Sequence, residues 1–449
     1  MSQISSEEKV FSSLSSKDSE LSRTGKCMYS SGEIASNLTW NMVNAFLLYY
    51  YTDIAQIPAA PLVWLFLCTK IIDAFVDIGV GRMVDHTRSR WGHARPYILY
   101  GAIPFGIISS LLFMVPEFSI SGKIIYAFIT YGVFSLCYSL IYVPYTALQA
   151  LITNNPNDHA IIGGLRSAST SIASVIVFYS TQKLVTLVGG GAFGWGAAAV
   201  IFSLGSIALY LLVFFGTKER VQTQRIPPAN IAGTIKRMFH NPIWLSSFIL
   251  LLVNMGRVIT LVSVLPYMTK ILLHDTSLLG IFLTLQSIII LVGSFMAGPL
   301  MNRFSVFSVN VVSVIVGILM FCILPFVEGN IPFMLVLFAV ASLPISMFNT
   351  TIFTGCSNAA NVQERMYGTR DEGMLASGIS FSYKLGGAIG VAIVALFLSE
   401  AKYNPTEVTQ EVAHAVRLCF YWLQIGFLLL HIPSIVMLRR VSAKPVEKM

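Results

Sequence analysis

The chain has 449 residues, of which 55% are hydrophobic and only 11% are charged, and its formal net charge at pH 7 is +8. Soluble proteins carry about 25% charged residues, so this composition excludes a soluble globular protein and indicates a protein that lies in a lipid bilayer. The basic excess does not indicate nucleic-acid binding, because Lys and Arg gather in short loops between apolar runs.

Apolar runs of about 20 residues recur along most of the chain, which is the pattern of transmembrane helices. We predict an all-α membrane protein with twelve transmembrane helices in two six-helix halves. The predicted parts are a disordered N-terminal tail, the first bundle, a linker, the second bundle and a C-terminal tail: 1–30, 31–216, 217–242, 243–438 and 439–449. The six cysteines lack the spacing of disulfides or metal ligands and are interpreted as packing residues.

The short loops also predict an orientation. Lys and Arg are concentrated in the two tails, the central linker and alternate loops, and the opposite loops hold few of them. Cytoplasmic loops carry this basic excess, so both termini are predicted to be cytoplasmic, in a bacterial inner membrane. A segment at the end of the second span, "GVGRMVDHTRS", is echoed by "MAGPLMNRFSV" at the end of the eighth, and such parallel halves characterise transporters of the major-facilitator type.

Two carboxylates stand within the second predicted span, where a charge costs about 2.5–3.5 kcal/mol on insertion scales. Lys70, Asp73 and Asp77 follow at i, i+3 and i+7 and therefore share one helical face. One interpretation is structural, with Lys70 neutralising Asp73. The other is a cation site, at which the two carboxylates bind Na⁺ or share a proton.

Three further basic residues, Arg166, Arg257 and Lys384, lie within apolar spans. Arg166 and Lys384 come from opposite halves and are predicted to face a central cavity, where they would suit an anionic or hydroxyl-rich solute. In the fourth span, Tyr138, Tyr142 and Tyr145 share a face. Aromatic rings with polar tips suit a sugar, and the alternative is an aromatic belt at the membrane interface.

The segment from Asp73 to Gly101, "DAFVDIGVGRMVDHTRSRWGHARPYILYG", closely resembles the signature of the glycoside–pentoside–hexuronide:cation symporters. The likeness continues through "LLYYYTD" (Leu47–Asp53), "CYSLIYVPYTAL" (Cys137–Leu148), "GTRDEG" and "SYKLGGAIG" (Gly368–Gly390). The likeness therefore extends over nearly the whole chain. The segments "ASNLTW" and "LCYSL" are most similar to the hexuronide branch.

The resemblance implies a major-facilitator fold and transport of a sugar together with Na⁺ or H⁺. It assigns the coupling cation to Asp73, Asp77 and Ser139. The positions at which the family contacts sugar are occupied by Asn37, Tyr138, Tyr142, Thr146 and Arg166, with Lys384 near the cation site. The residues predicted to gate the cytoplasmic side are Asp85, Arg88, Arg95, Arg370 and Glu372.

Departures from the family pattern refine this prediction. Melibiose-type members carry Lys-Asp where this chain has Ser36-Asn37, and an acid where it has Tyr142, so a galactoside is disfavoured and a hexuronide such as a glucuronide is favoured. The loop predicted at Gly355–Gly368, before the eleventh span, lacks most of the acids usual there, which affects the predicted gate.

The predicted function is therefore cation-coupled symport of a sugar or glycoside by a monomer, with no cofactor other than the coupling ion. The alternatives are a lysolipid-type or other organic-anion carrier of the same superfamily and a non-transporting sensor. No phosphate-binding glycine loop, metal-ligand spacing or nucleophile–base pair indicates an enzyme.

Overall fold

The structure is a computed structural model that describes residues 21–153, 155–220, 231–367 and 372–442, without the side chains of some residues inside the helices. Over these ranges the chain is helical and contains no strand beyond two isolated bridges. The helices of the first half are α1 (Arg23–Tyr49), α2 (Ala59–His86), α3 (Arg95–Leu111), α4 (Ile120–Ile152), α5 (Pro156–Leu187) and α6 (Gly191–Gly216).

The second half follows the same plan after a short linker helix. The linker helix is α7 (Ile231–His240), and the remaining helices are α8 (Pro242–Ile271), α9 (Leu278–Phe304), α10 (Val306–Ile323), α11 (Ile331–Ser346), α12 (Phe348–Tyr367), α13 (Glu372–Glu400), α14 (Gln410–Arg417) and α15 (Leu423–Ser442). Helix α11 runs on into α12, and α14 runs into α15 through a π-helical turn (Leu418–Trp422). The halves therefore make six crossings each.

Length and hydropathy alone mark eight of these segments as able to cross a membrane, and two shorter helices, Ala59–Thr69 and Ile331–Ser346, are also apolar. Polar residues lower the hydropathy of α1.

The halves contact each other through matched helix pairs. Helix α2 packs on α13, α5 packs on α9, and α1 packs on α8 at the centre. The first two pairs are equivalent when the halves are exchanged, as expected of two related bundles. Because twelve crossings return the chain to its starting side, we call the side of Arg23 and Ser442 the terminal side and the opposite side the far side.

Two segments predicted to be non-helical, in the tail and at Gly355–Gly368, are helical in the structure. Helix α1 begins at Arg23, capped by Ser22, so the segment 23–30 is helical and not part of a disordered tail. The linker 217–242 contains the amphipathic helix α7. The predicted loop Gly355–Gly368 is helical as far as Tyr367. Its polar composition indicated a loop, but a helix can continue beyond the hydrocarbon, where polar side chains cost little.

Candidate functional site

The two acids of α2 meet a lysine of the other half. Asp73 is buried, and its Oδ1 accepts a hydrogen bond of 2.9 Å from the Ser139 hydroxyl on α4. The ammonium of Lys384 on α13 lies 3.0 Å from Oδ2 of Asp73 and directly contacts Oδ2 of Asp77. The three residues assigned to the cation by resemblance thus form one cluster, which we call the acidic site, and Lys384 completes it.

The acidic site has the donor set that a monovalent cation needs. Its oxygens come from two carboxylates and a hydroxyl, and the buried Oδ1 of Asp77 has no hydrogen-bond partner in the described part of the chain. Here the Lys384 ammonium supplies the compensating charge. The side chain of Lys70 lies outside the described residues, so the alternative Lys70–Asp73 pair is not tested.

A second charged cluster lies on the first half alone. Arg166 on α5 donates from Nε to Oε2 of Glu33 on α1 at 2.8 Å, and from Nη1 to Oε1 of Gln149 on α4 at 2.7 Å. The Tyr142 hydroxyl donates to Oε1 of Glu33 at 3.2 Å. In this conformation Arg166 is paired with Glu33, and Lys384 is paired with Asp73 and Asp77. The contact of Arg166 and Lys384 with a solute stays a prediction.

Aromatic rings line the space between the two clusters. Trp40 stacks on Tyr138 with ring centroids 4.9 Å apart, and Tyr138 stacks on Tyr142 at 5.1 Å. Tyr145 follows at 6.0 Å and stacks in turn on Tyr29 at 5.0 Å. Tyr138 and Tyr145 are buried inside the bundle, which does not fit a belt at the membrane interface. We call these five residues the aromatic wall.

The other predicted sugar contacts lie beside this wall. Asn37 donates from Nδ2 to the Glu33 carbonyl at 2.8 Å, and the Thr146 hydroxyl donates to the Val143 carbonyl at 2.8 Å. A narrow cleft of about 10 Å³ lies between the halves and contacts Trp40 of the wall and Lys384 of the acidic site. Residues of both halves line it: Trp40, Asn44, Phe66, Tyr131, Met255, Ile259, Tyr383 and Lys384, with Gly387, Ala388 and Val391.

Of the five predicted gate residues, only Arg88 and Arg95 have side chains that the structure describes. Arg95 donates from Nη2 to the Phe214 carbonyl at 2.8 Å, and the Glu219 carboxylate accepts from the backbone of residues 93–95. Arg95 therefore fixes α3 against α6 within the first half, which corrects its assignment to a latch in this conformation. Arg88 is exposed. The side chains of Asp85 and Glu372, and Arg370 entirely, lie outside the described residues.

The far side carries a latch that sequence reasoning did not identify. Asp53 at the end of the first crossing accepts from Lys270 of α8 at 2.5 Å and from the Tyr403 hydroxyl at 2.7 Å. Beside it, the hydroxyls of Thr52 and Tyr267 lie 2.6 Å apart. These contacts, which we call the far-side latch, join the two halves. A π-helical turn over Tyr50–Ile54 directs Thr52 and Asp53 toward the second half.

Glu33 was missed as well, although it carries a signal. It is an acid four residues before Asn37 and thus one turn away on the same face. Glu33 lay within the predicted first bundle, 31–216, but was given no role there. For Asp53, the signal was its place in "LLYYYTD", which was used only for the resemblance.

The comparisons with known proteins agree with this architecture. The family described as "MFS/sugar transport protein" matches residues 28–441. The chain is 31% identical over 410 residues to a putative glycoside/cation symporter, YagG, of Escherichia coli K12, covering 89% of this chain and 88% of that one. It is 30% identical to an isoprimeverose transporter of Lactiplantibacillus pentosus (89% and 85% covered) and 30% identical to a glucuronide carrier protein homolog of Escherichia coli K12 (90% and 89%).

Solved structures show the same fold at low sequence identity. A bacterial homolog of the human lysosomal transporter Spinster superposes with a TM-score of 0.64 at 12% identity, covering 92% of this chain and 94% of that one. The nucleoside transporter NupG superposes with a TM-score of 0.64 at 13% identity, covering 92% and 99%. The matched family and relatives are transporters and not enzymes. The chain therefore belongs to the MFS/sugar transport family, and within it to the glycoside–pentoside–hexuronide:cation symporters.

Proposed function

We propose that this protein couples the movement of a sugar or glycoside to that of Na⁺ or H⁺ by alternating access. The observation that carries the proposal is the acidic site, where two carboxylates and a hydroxyl of the first half converge on a lysine of the second. A tethered ammonium between carboxylates stands where a mobile cation would be bound.

Competition between Lys384 and the coupling ion gives a mechanism for coupling. When a cation binds Asp73 and Asp77, the ammonium is displaced toward the cleft that it lines. It can then donate hydrogen bonds to a sugar hydroxyl. The cation thereby improves the sugar site, and by linkage the sugar tightens cation binding by the same factor. An empty carrier keeps both carboxylates paired with Lys384, so it can reorient without exposing two bare charges to a closing gate.

The aromatic wall is the proposed platform for the sugar ring. Sugars offer an apolar face for stacking and a rim of hydroxyls. Trp40 and Tyr138 supply the ring surface, and Asn37, Thr146 and Arg166 are proposed to bind hydroxyls at the edge. We further propose that the terminal side is cytoplasmic, so that the conformation described here is closed toward the exterior, and that the protein acts as a monomer.

A hexuronide is the second candidate substrate. It is favoured by the 30% identity to a glucuronide carrier protein homolog. The electrostatic argument from Arg166 and Lys384 is weakened, because both side chains are paired with carboxylates in this conformation.

The experiment is transport by Asp77→Asn in membrane vesicles. We expect the variant to insert and to exchange labelled sugar in counterflow, because the sugar site is intact. We expect no accumulation against a gradient, because one carboxylate of the acidic site is neutral. Concentrative uptake at the wild-type level would overturn the cation role. Absence of counterflow by the wild-type protein for neutral sugars, glycosides and uronides would instead favour a lysolipid or other organic-anion carrier, or a sensor.

A further inference from the structure

We infer that Glu33 determines the charge of the substrate: by neutralising Arg166, it makes the sugar site select uncharged glycosides over uronides. This inference rests on the proposed function, since it concerns the proposed sugar site. Neither the family pattern nor the sequence analysis gave Glu33 a role.

The contacts of Glu33 engage both of its carboxylate oxygens. Oε2 accepts from Nε of Arg166 at 2.8 Å, and Oε1 accepts from the Tyr142 hydroxyl at 3.2 Å. Glu33 is 7% exposed, so water screens this pair little. The guanidinium that would otherwise attract a substrate carboxylate is thus matched by a carboxylate of the protein.

The pair forms part of the surface on which a sugar would lie. Glu33 stands one helical turn before Asn37, whose amide donates to its carbonyl. Its donor Tyr142 belongs to the aromatic wall, and the Arg166 guanidinium lies 5.4 Å from the centroid of the Tyr145 ring. A sugar stacked on the wall therefore meets the carboxylate and the guanidinium together at its rim.

The Glu33–Arg166 pair is better suited to bind a hydroxyl group of the substrate than to bind a substrate carboxylate. A hydroxyl both donates and accepts, so it can donate to Glu33 and accept from Arg166. A uronate carboxylate only accepts, and at Arg166 it would stand beside Glu33 with a like charge. Selectivity against an unwanted ligand often rests on a repulsive element of this kind.

The test compares two probes that differ only at C6, methyl β-D-glucopyranoside and methyl β-D-glucuronide. Initial uptake rates are measured in vesicles for the wild type, Glu33→Gln and Glu33→Asp. We expect the wild type to favour the glucoside. In Glu33→Gln the glucuronide-to-glucoside ratio should rise about tenfold or more, equivalent to about 1.4 kcal/mol, because Arg166 loses its partner. Glu33→Asp keeps the charge and should keep the preference.

Glu328→Gln is the matched control. It removes a carboxylate that pairs with Arg417 at 2.9 Å within the second half, and it should leave the ratio unchanged. A purely structural role of Glu33 would lower both rates and leave their ratio constant, and that result would overturn the inference. If Glu33→Gln does not fold, the wild-type ratio decides: uptake of the glucuronide equal to or faster than that of the glucoside contradicts the inference.

The two proposals fail in different ways. Failure of the wild type to carry either probe, or the pentoside methyl β-D-xylopyranoside, would overturn the proposed function and the inference with it. Uptake of the glucuronide in preference to the glucoside would leave cation-coupled sugar transport in place and overturn only the role given to Glu33.

Discussion

Lys384 is the residue at which the chemistry of the two halves meets. Its ammonium comes from α13 and contacts both carboxylates of α2. Its side chain is 10% exposed, and those of Asp73 and Asp77 are 1% and 22% exposed. A buried ion pair contributes little net stability, but removal of one partner leaves an uncompensated charge. Lys384 therefore keeps the acidic site compatible with the membrane while no coupling ion is bound.

A first prediction follows for Lys384→Ala. The competing ammonium is gone, so Na⁺ should bind the acidic site about tenfold more tightly, equivalent to about 1.4 kcal/mol. The measurement is the melting temperature of the detergent-solubilised protein in NaCl and in choline chloride, since a ligand of the native state raises it. The rise caused by Na⁺ should be larger than in the wild type.

The control for this prediction is Lys270→Ala, which removes a lysine from the far-side latch and leaves the acidic site intact. It should respond to Na⁺ as the wild type does. If the coupling ion is H⁺, the excess stabilisation of Lys384→Ala will appear on lowering the pH and not on adding Na⁺. An equal response of variant and wild type to both ions contradicts the competition.

At the scale of elements, α13 is held in place by glycines. A Cβ added to Gly386 would lie 2.3 Å from the Leu252 carbonyl oxygen of α8, and one added to Gly390 would lie 2.6 Å from the Gly256 carbonyl oxygen. Small residues four apart allow membrane helices to approach closely. This approach fixes α13 on α8 and thereby sets the position of Lys384 relative to α2.

The second prediction tests this packing with Gly386→Ala. Alanine is the better helix former, yet the variant should be destabilised by about 1–3 kcal/mol, the usual cost of overpacking. Thermal unfolding of the purified protein measures the effect. The matched control is Gly298→Ala on α9, where an added Cβ would meet no atom within 4 Å. A melting temperature for Gly386→Ala that equals the control would show that α13 shifts without cost.

At the scale of the whole molecule, the far-side latch and the acidic site are two places where charged groups join the halves. Alternating access requires one of the two sides to separate while the other stays closed. The contacts of Asp53 with Lys270 and Tyr403 hold the far side together. They must break when the cleft opens there.

The third prediction concerns Asp53→Asn, which removes the charge of the latch. The equilibrium should shift toward opening on the far side. A cysteine placed at Asn44, which lines the cleft, should then react several-fold faster with an impermeant thiol reagent added from that side. The background is a variant without native cysteines.

Asp275→Asn is the control for the latch. Asp275 is exposed on the same side, and its carboxylate accepts hydrogen bonds of 2.9 Å and 2.6 Å from Ser277 in its own loop, so its replacement should leave the labelling rate unchanged. An equal rate for Asp53→Asn and the control would show that the latch does not hold the far side closed.

The sequence by itself determined the membrane class, the two halves and the acids of the acidic site. These features depend on composition and on spacing along one helix, because a charge inside an apolar run is costly wherever the chain folds. Spacing along α4 also identified Tyr138, Tyr142 and Tyr145, and resemblance added Ser139. Helix ends were predicted less well, because α1 and α12 extend beyond the hydrocarbon, where hydropathy carries no signal.

Only the tertiary structure decided which charges meet. Lys384 stands 307 residues after Asp77, Arg166 stands 133 residues after Glu33, and Lys270 stands 217 residues after Asp53. Such partners come together through the packing of whole helices, and no local period encodes that. These pairings matter for function, because carboxylates of the protein compensate the positive charges of Arg166 and Lys384. Neither side chain is then a free anion-binding group. The spacing of residues thus identified the charges, and the assembly of the two bundles determined their roles.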